Sequence, residues 1–162
     1  MKKSIIILSV LQISLFGCGQ EKDFNQMVDK LLSHSVTEIS VDSAMNLTNA
    51  IFLDARAYRE YEVSRIPNAL WIGYKEFEPG HVGQIDLDAT VIVYCSVGYR
   101  SEKITEELEE LGFTNVSNLY GGIFDWVNQG QQIVNDKGPT NQVHGYNKKW
   151  GQWVKVGEKV YE

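Results

Sequence analysis

The chain has 162 residues, 15 basic against 21 acidic side chains for a formal charge of −6, and 43% hydrophobic content. That length has room for one domain with extensions, the ordinary apolar share gives no sign of a disordered chain or a repeat array, and the acidic balance argues against nucleic acid as a partner. The two cysteines stand in unlike contexts, Cys18 closing an apolar leader and Cys95 in an interior loop, so neither a disulfide framework nor a metal or cofactor site is expected.

Lys2 and Lys3 precede an apolar run from Ile5 to Phe16 that Gly17-Cys18 closes, the order of a secretory signal. The run is shorter than the roughly 20 residues a spanning helix needs. Leu15-Phe16-Gly17-Cys18 resembles the lipobox of bacterial lipoproteins, with Phe16 in place of the usual small residue. That resemblance implies a signal peptide over 1–17, lipidation at Cys18, and a membrane-anchored protein of the cell envelope, on the periplasmic or outer-membrane side. Without Lys2 and Lys3 the balance is 13 basic against 21 acidic residues, or −8.

Residues 18–34 read as a tether containing a short helix, with Phe24, Met27, Val28 and Leu31 at near-helical spacing. Ser35 to Ile39 predicts a strand, and Ser40 or Asp42 caps a short helix ending near Leu47. Ala50 to Asp54 is a second, buried strand, followed by a helix from about Ala57 to Val63 and a turn at Ile66-Pro67-Asn68-Ala69. Ala69 to Ile72 is a third strand, and Tyr74 to Thr90 a polar connection punctuated by Pro79-Gly80.

Val91-Ile92-Val93 is a β-branched run suited to a strand buried on both faces of a parallel sheet. From Ser101 the period changes to that of a helix, with Ile104, Leu108 and Leu111 as its buried stripe and the glutamates between 102 and 110 as its solvated face. Val116 to Tyr120 predicts another strand, and Gly121-Gly122 opens a helix carrying Ile123, Trp126 and Val127 inward. Alternating strands and helices imply an α/β fold whose mostly parallel sheet is covered on both faces. The tail from Gln131 is too aromatic for a linker and reads as an extension, 131–162, packed on a domain of residues 35–130. Within it Trp153 to Val156 is a candidate edge strand, and His144 or Tyr146 a candidate to overhang Cys95.

Cys95 thus lies between the carboxyl end of a strand and the amino end of a helix, a junction where α/β proteins place ligands. A loop of Cys95, Ser96, Val97, Gly98, Tyr99 and Arg100 can turn successive backbone N–H groups on the sulfur, and the helix dipole adds to them. Such surroundings favour thiolate over thiol, lowering a cysteine pKa from about 8.5. Gly98 supplies a backbone conformation that side chains resist. Arg100 can hold an oxyanion bidentately or brace the loop against a carboxylate such as Asp54. Arg56 and Arg59 are auxiliary candidates at the same sheet edge, with a surface salt bridge at least as good an account of them.

Four stretches in order, Leu53-Asp54-Ala55-Arg56, Glu60-Tyr61 with Ile66-Pro67-Asn68-Ala69, Cys95 to Ser101, and Leu119-Tyr120-Gly121-Gly122-Ile123-Phe124-Asp125-Trp126, together resemble a single-domain rhodanese. Ser64-Arg65 stands where that family usually has Gly-His. The resemblance implies a three-layer domain and a sulfurtransferase. Cys95 would take sulfane sulfur from a small anion or a protein persulfide, hold it as a persulfide, and pass it to a thiol acceptor or reductant. Phosphatases built on a cysteine and an arginine have one residue more than the four that separate Cys95 from Arg100 here, so a phosphatase or arsenate reductase is a lesser alternative. A non-catalytic binding module on the same fold is another. Arg100 is the sole cation of the loop, which makes thiosulfate an uncertain donor.

Overall fold

A computed structural model describes residues 16–161, so the expected leader falls largely outside the described residues, as does the side chain of Cys18. The centre is a five-stranded sheet, all neighbours parallel, in the order β1 (Glu38–Ile39), β5 (Val116–Leu119), β4 (Val91–Tyr94), β2 (Ile51–Asp54), β3 (Leu70–Trp71). The β-branched run chosen for the middle strand is β4, fully buried and paired in register with Ile51–Asp54 on one side and Val116–Asn118 on the other.

Alternation along β4 divides the core in two. Val91 and Val93 face α4 (Tyr99–Glu110), packing with Ile104, Leu108, Leu53 and Phe113. Ile92 and Tyr94 face the opposite layer, with Leu119, Ile123 and Phe124. That layer contains α1 (Phe16–Leu31), α2 (Val41–Met45), α5 (Gly122–Asn128) and part of the tail. Ser40 caps α2, its hydroxyl accepting from Ser43 N–H. Of the domain's other helices, α3 (Tyr58–Val63) follows β2 and a single 3-10 turn (Pro79–His81) lies in the connection after β3.

Several expectations change here. The short helix expected within residues 18–34 is longer than expected: α1 runs through Leu31, and Phe24, Val28 and Leu32, at intervals of four, are buried against the core. Leu111 is 40% exposed because α4 ends at Glu110, so the buried stripe stops at Leu108. Glu102 is fully buried rather than solvated, since the chain after α1 crosses it and donates Ser33 N–H (3.1 Å) and Ser35 N–H (3.3 Å) to its carboxylate. The first strand is only two residues, Glu38–Ile39, where five were expected.

The tail forms small elements of its own: β6 (Ile133–Asn135) with antiparallel β7 (Gly138–Thr140), and β8 (Gln142–His144) with parallel β9 (Glu158–Val160), joined through α6 (Lys148–Gly151). The edge strand expected at 153–156 is absent, and the residues that pair are 158–160, because Val154 turns fully into the core. Ile133 and Val143 are buried with it. Arg65, one of the two residues that replace Gly-His, ties this tail to the domain: its backbone exchanges hydrogen bonds with Val134 (2.8 and 2.9 Å) and its guanidinium pairs with Asp136 at 2.5 Å. Among the described residues no helix is long and apolar enough to cross a membrane.

Candidate active site

Cys95 follows β4 directly, and the loop it opens folds back over it. Gly98, at φ +116°, turns the chain so that its own N–H points at Cys95 Sγ, 3.2 Å away. A side chain at Gly98 would be strained there and would press on Leu32 at 3.3 Å. α4 begins at the next residue, placing its N-terminus beside the sulfur. Ser101 and Asn118 lock the turn: the Ser101 hydroxyl lies 2.7 Å from Asn118 Oδ1 and 3.1 Å from the Gly98 carbonyl, and Asn118 Nδ2 donates to that carbonyl at 3.1 Å.

The loop is also braced from behind. Ile123 N–H donates to the Cys95 carbonyl (2.9 Å) and Phe124 N–H to the Ser96 carbonyl (3.1 Å), so the first turn of α5 satisfies its free donors on the loop backbone. This needs a close approach at Gly122, where a Cβ would stand 2.4 Å from the Cys95 oxygen. Of the paired glycines after β5, Gly122 is therefore set by the cysteine loop, whereas a Cβ at Gly121 would meet Asp125 and Phe24.

Burial alone pushes the Cys95 thiol up, but the charge of Arg100, the hydroxyl and N–H of Ser101 and the N–H of Val97 outweigh it, and the pKa falls below its ordinary value. Arg100 does not brace against Asp54. Its fork closes on Glu60, with Nη1 donating to Oε2 at 2.7 Å and Nη2 to Oε1 at 2.9 Å, while Ser96 Oγ accepts from Nη2 at 2.9 Å and donates to Oε1 at 3.1 Å. Glu60 sits in the first turn of α3 and also accepts Ala57 N–H at 3.1 Å, so one carboxylate caps a helix and clamps the loop arginine. Asp54 instead pairs with Arg56, both fully buried, and neither borders the cysteine cavity. Arg56 is thus no surface salt bridge.

Above the loop lies a cavity of about 560 Å³ reached by Cys95, Ser96, Val97, Tyr99 and Arg100. Arg59 of α3 and Lys75 of the connection after β3 stand on its border. The far wall holds Tyr146 and Trp150 from the tail and Leu31 from α1, with the Arg100 guanidinium 5.3 Å from the centre of the Tyr146 ring. His144 is fully buried in β8, and its Nδ1 accepts Tyr146 N–H at 3.1 Å. The site residues that sequence reasoning did not assign are Glu60, Ser101, Asn118, Lys75 and Trp150. Glu60 and Ser101 stand within the stretches that carry the family resemblance, and Glu60 is also the acidic residue three positions after the start of a helix following a strand.

Glu60 also carries a pH effect. Burial would raise its carboxyl, but the hydrogen bonds and charge of Arg100, with Arg56, hold it down at about 2 against 4.5 in the unfolded chain. Its contribution to stability, on the order of 2–3 kcal/mol, is whole above about pH 4.5 and drains away as pH falls toward 2. Urea denaturation of Glu60→Gln should show lower stability at neutral pH and a flatter decline across that acidic window. An unchanged slope would mean that Arg100 does not hold the carboxylate ionised.

A buried cysteine in a strand-loop-helix cradle at the carboxyl edge of a five-stranded parallel sheet sets the chain in a class of α/β domains with a cysteine loop between a central strand and a helix. The family model for the rhodanese-like domain matches residues 39–129, more than half of the chain, and the chain belongs to that family. Curated relatives include the tRNA uridine(34) hydroxylase of Erwinia tasmaniensis, 31% identical over 97 residues, and that of Hamiltonella defensa, 33% identical over 102. These matches take in 57% and 60% of this chain but only 28% and 27% of the relatives, so the chain spans about a quarter of their length. Among solved structures, a rhodanese-related protein of Thermoplasma volcanium is 28% identical with a TM-score of 0.55, covering 60% of this chain and 97% of that one. A thiosulfate sulfurtransferase of Pseudomonas aeruginosa, 23% identical with a TM-score of 0.57 over 83% of this chain and 26% of that one, shares the fold.

Proposed function

We propose that the protein is a sulfurtransferase that carries sulfane sulfur as a persulfide on Cys95. The observation behind this reading is the Gly98 N–H held on Sγ at 3.2 Å in a loop whose arginine is already occupied by Glu60. The cradle favours a thiolate nucleophile and then a persulfide anion, with no separate base. The thiolate attacks the outer sulfur of a donor, a Cys–S bond forms, the donor's S–S bond breaks, and the remainder leaves as sulfite or thiolate. An acceptor thiolate then takes the outer sulfur and regenerates Cys95. Engagement of the Arg100 fork by Glu60 leaves no free bidentate seat for a tetrahedral phosphate, which disfavours the phosphatase reading. The tRNA hydroxylation named for the curated relatives belongs to much longer chains and is not part of this proposal.

The leader supports placing the protein on the cell envelope through a lipidated Cys18. Cys95 is then left without a second thiol in the chain to resolve it, and an external reductant or acceptor completes the cycle. Intact-mass measurement after incubation with a sulfane donor should show a gain of one sulfur, reversed by dithiothreitol. Failure of every donor to load the protein would leave the binding-module reading in its place.

A further inference from the structure

The family match ends at residue 129, yet the wall facing Cys95 is finished by residues outside it, Leu31 before and Tyr146 and Trp150 after. Tyr146 is held in an unusual way. Its backbone is left-handed at φ +60°, a region that side chains other than glycine and asparagine seldom occupy, and its N–H is fixed on the buried imidazole of His144. Strain of this kind, of order 1 kcal/mol or more, persists where surrounding structure enforces it and gathers at ligand sites. Here the enforced conformation holds an aromatic ring over Arg100, at the mouth of the cysteine loop.

The cavity so enclosed is much larger than a small sulfur anion. At about 560 Å³ it falls in the range, roughly 300–1,000 Å³, that encloses a ligand of many atoms. Its electrostatics point the same way. With Cys95 ionised for attack, its thiolate, the Arg100 guanidinium and the Glu60 carboxylate sum to one negative charge, so the floor then repels a compact dianion. The positive charge lies further out: Arg59 and Lys75 have no ion-pair partner among the described residues, with Glu76 opposing them on the same border.

We propose that Tyr146 and Trp150 determine specificity, selecting as sulfur donor the persulfide of a peptide-sized thiol whose body lies on the aromatic wall and whose carboxylates reach Arg59 and Lys75. This rests on the sulfur-transfer reading. In the step it describes, the Cys95 thiolate bonds to the outer sulfur of R–S–S⁻, the S–S bond breaks, and RS⁻ leaves and takes a proton from solvent. No oxidant or reductant is consumed.

The test compares loading of Cys95 by glutathione persulfide, cysteine persulfide and thiosulfate, in the unaltered protein and in Tyr146→Ala/Trp150→Ala. The unaltered protein should favour glutathione persulfide by about tenfold or more in kcat/KM, and the double variant should lose that preference mainly through KM. Tyr146→Phe should keep it, because the ring remains. Equal loading by the two persulfides in the unaltered protein, or a preference that survives in the double variant, overturns the proposal. Calorimetry with unreactive S-methylglutathione separates this from failure of the chemistry. Binding that the double variant loses, in a protein no donor can load, sinks the transfer reading and keeps the peptide-thiol site. Absence of binding, with loading by small donors intact, sinks the site and keeps the transfer.

Discussion

Cys95→Ser is expected to remove persulfide formation entirely and to lower sulfur-transfer turnover by at least roughly 10³-fold, the scale on which loss of a covalent nucleophile acts. Serine keeps the size of the side chain and can still accept the Gly98 N–H, so the loop should persist and thermal stability should change little. The activity loss would then be chemical: a hydroxyl is not ionised in a cradle that favours thiolate, and it cannot carry sulfane sulfur. Turnover with a sulfane donor and an acceptor thiol, alongside a melting curve, checks both halves. Retained turnover would assign the chemistry elsewhere and return Cys95 to the role of a packed thiol.

Arg56→Ala should have the largest effect on stability. Arg56 donates from Nε to both oxygens of Asp54 (2.9 and 3.1 Å) and from Nη2 to Oδ2 and to the Ser64 carbonyl, each at 2.6 Å, with both side chains shut from solvent. Burial opposes the Arg56 charge, but Asp54 more than offsets it and the guanidinium stays protonated. Truncation leaves a buried carboxylate with no counter-charge, which costs about 3–5 kcal/mol. A drop in Tm on the order of 10 °C follows for a chain of this size. Replacing both partners together, Asp54→Asn with Arg56→Met, should recover much of the loss, because no isolated charge then remains. A single variant as stable as the parent would show that water reaches the pair.

How far the sequence was readable follows from the distance over which each feature is decided. The strand at 91–94, the turn at Gly98 and the helix behind it are set by neighbours in the chain, so apolar runs, a glycine and a change of period located them. The partner of Arg100 is set 40 residues away by the docking of α3, and nothing in the local pattern prefers Glu60 to Asp54. Glu102 looked solvated because its neighbours on α4 are, and only the crossing of residues 33–35 makes it an acceptor for two buried-side amides. Phe24 and Val28 showed helical spacing, yet periodicity does not reveal whether an apolar stripe has a surface to meet. The aromatic tail was visible as something that packs, but its order, with the strand at 158–160 rather than 153–156, depends on which valine the core admits.

The packing of α1 also limits reach. From Cys18 to Phe24, the first of its described side chains seated in the core, there are six helical steps, roughly 9 Å at 1.5 Å per residue. A lipid on Cys18 would therefore hold the domain against the bilayer surface instead of letting it sweep a volume around its anchor. Donors and acceptors would have to arrive at that surface or diffuse along it, and encounter with membrane-bound partners would be a search in two dimensions. Inserting a flexible Gly-Ser stretch between Cys18 and Phe24 should leave turnover with small soluble donors unchanged while altering the rate with any partner fixed in the same membrane.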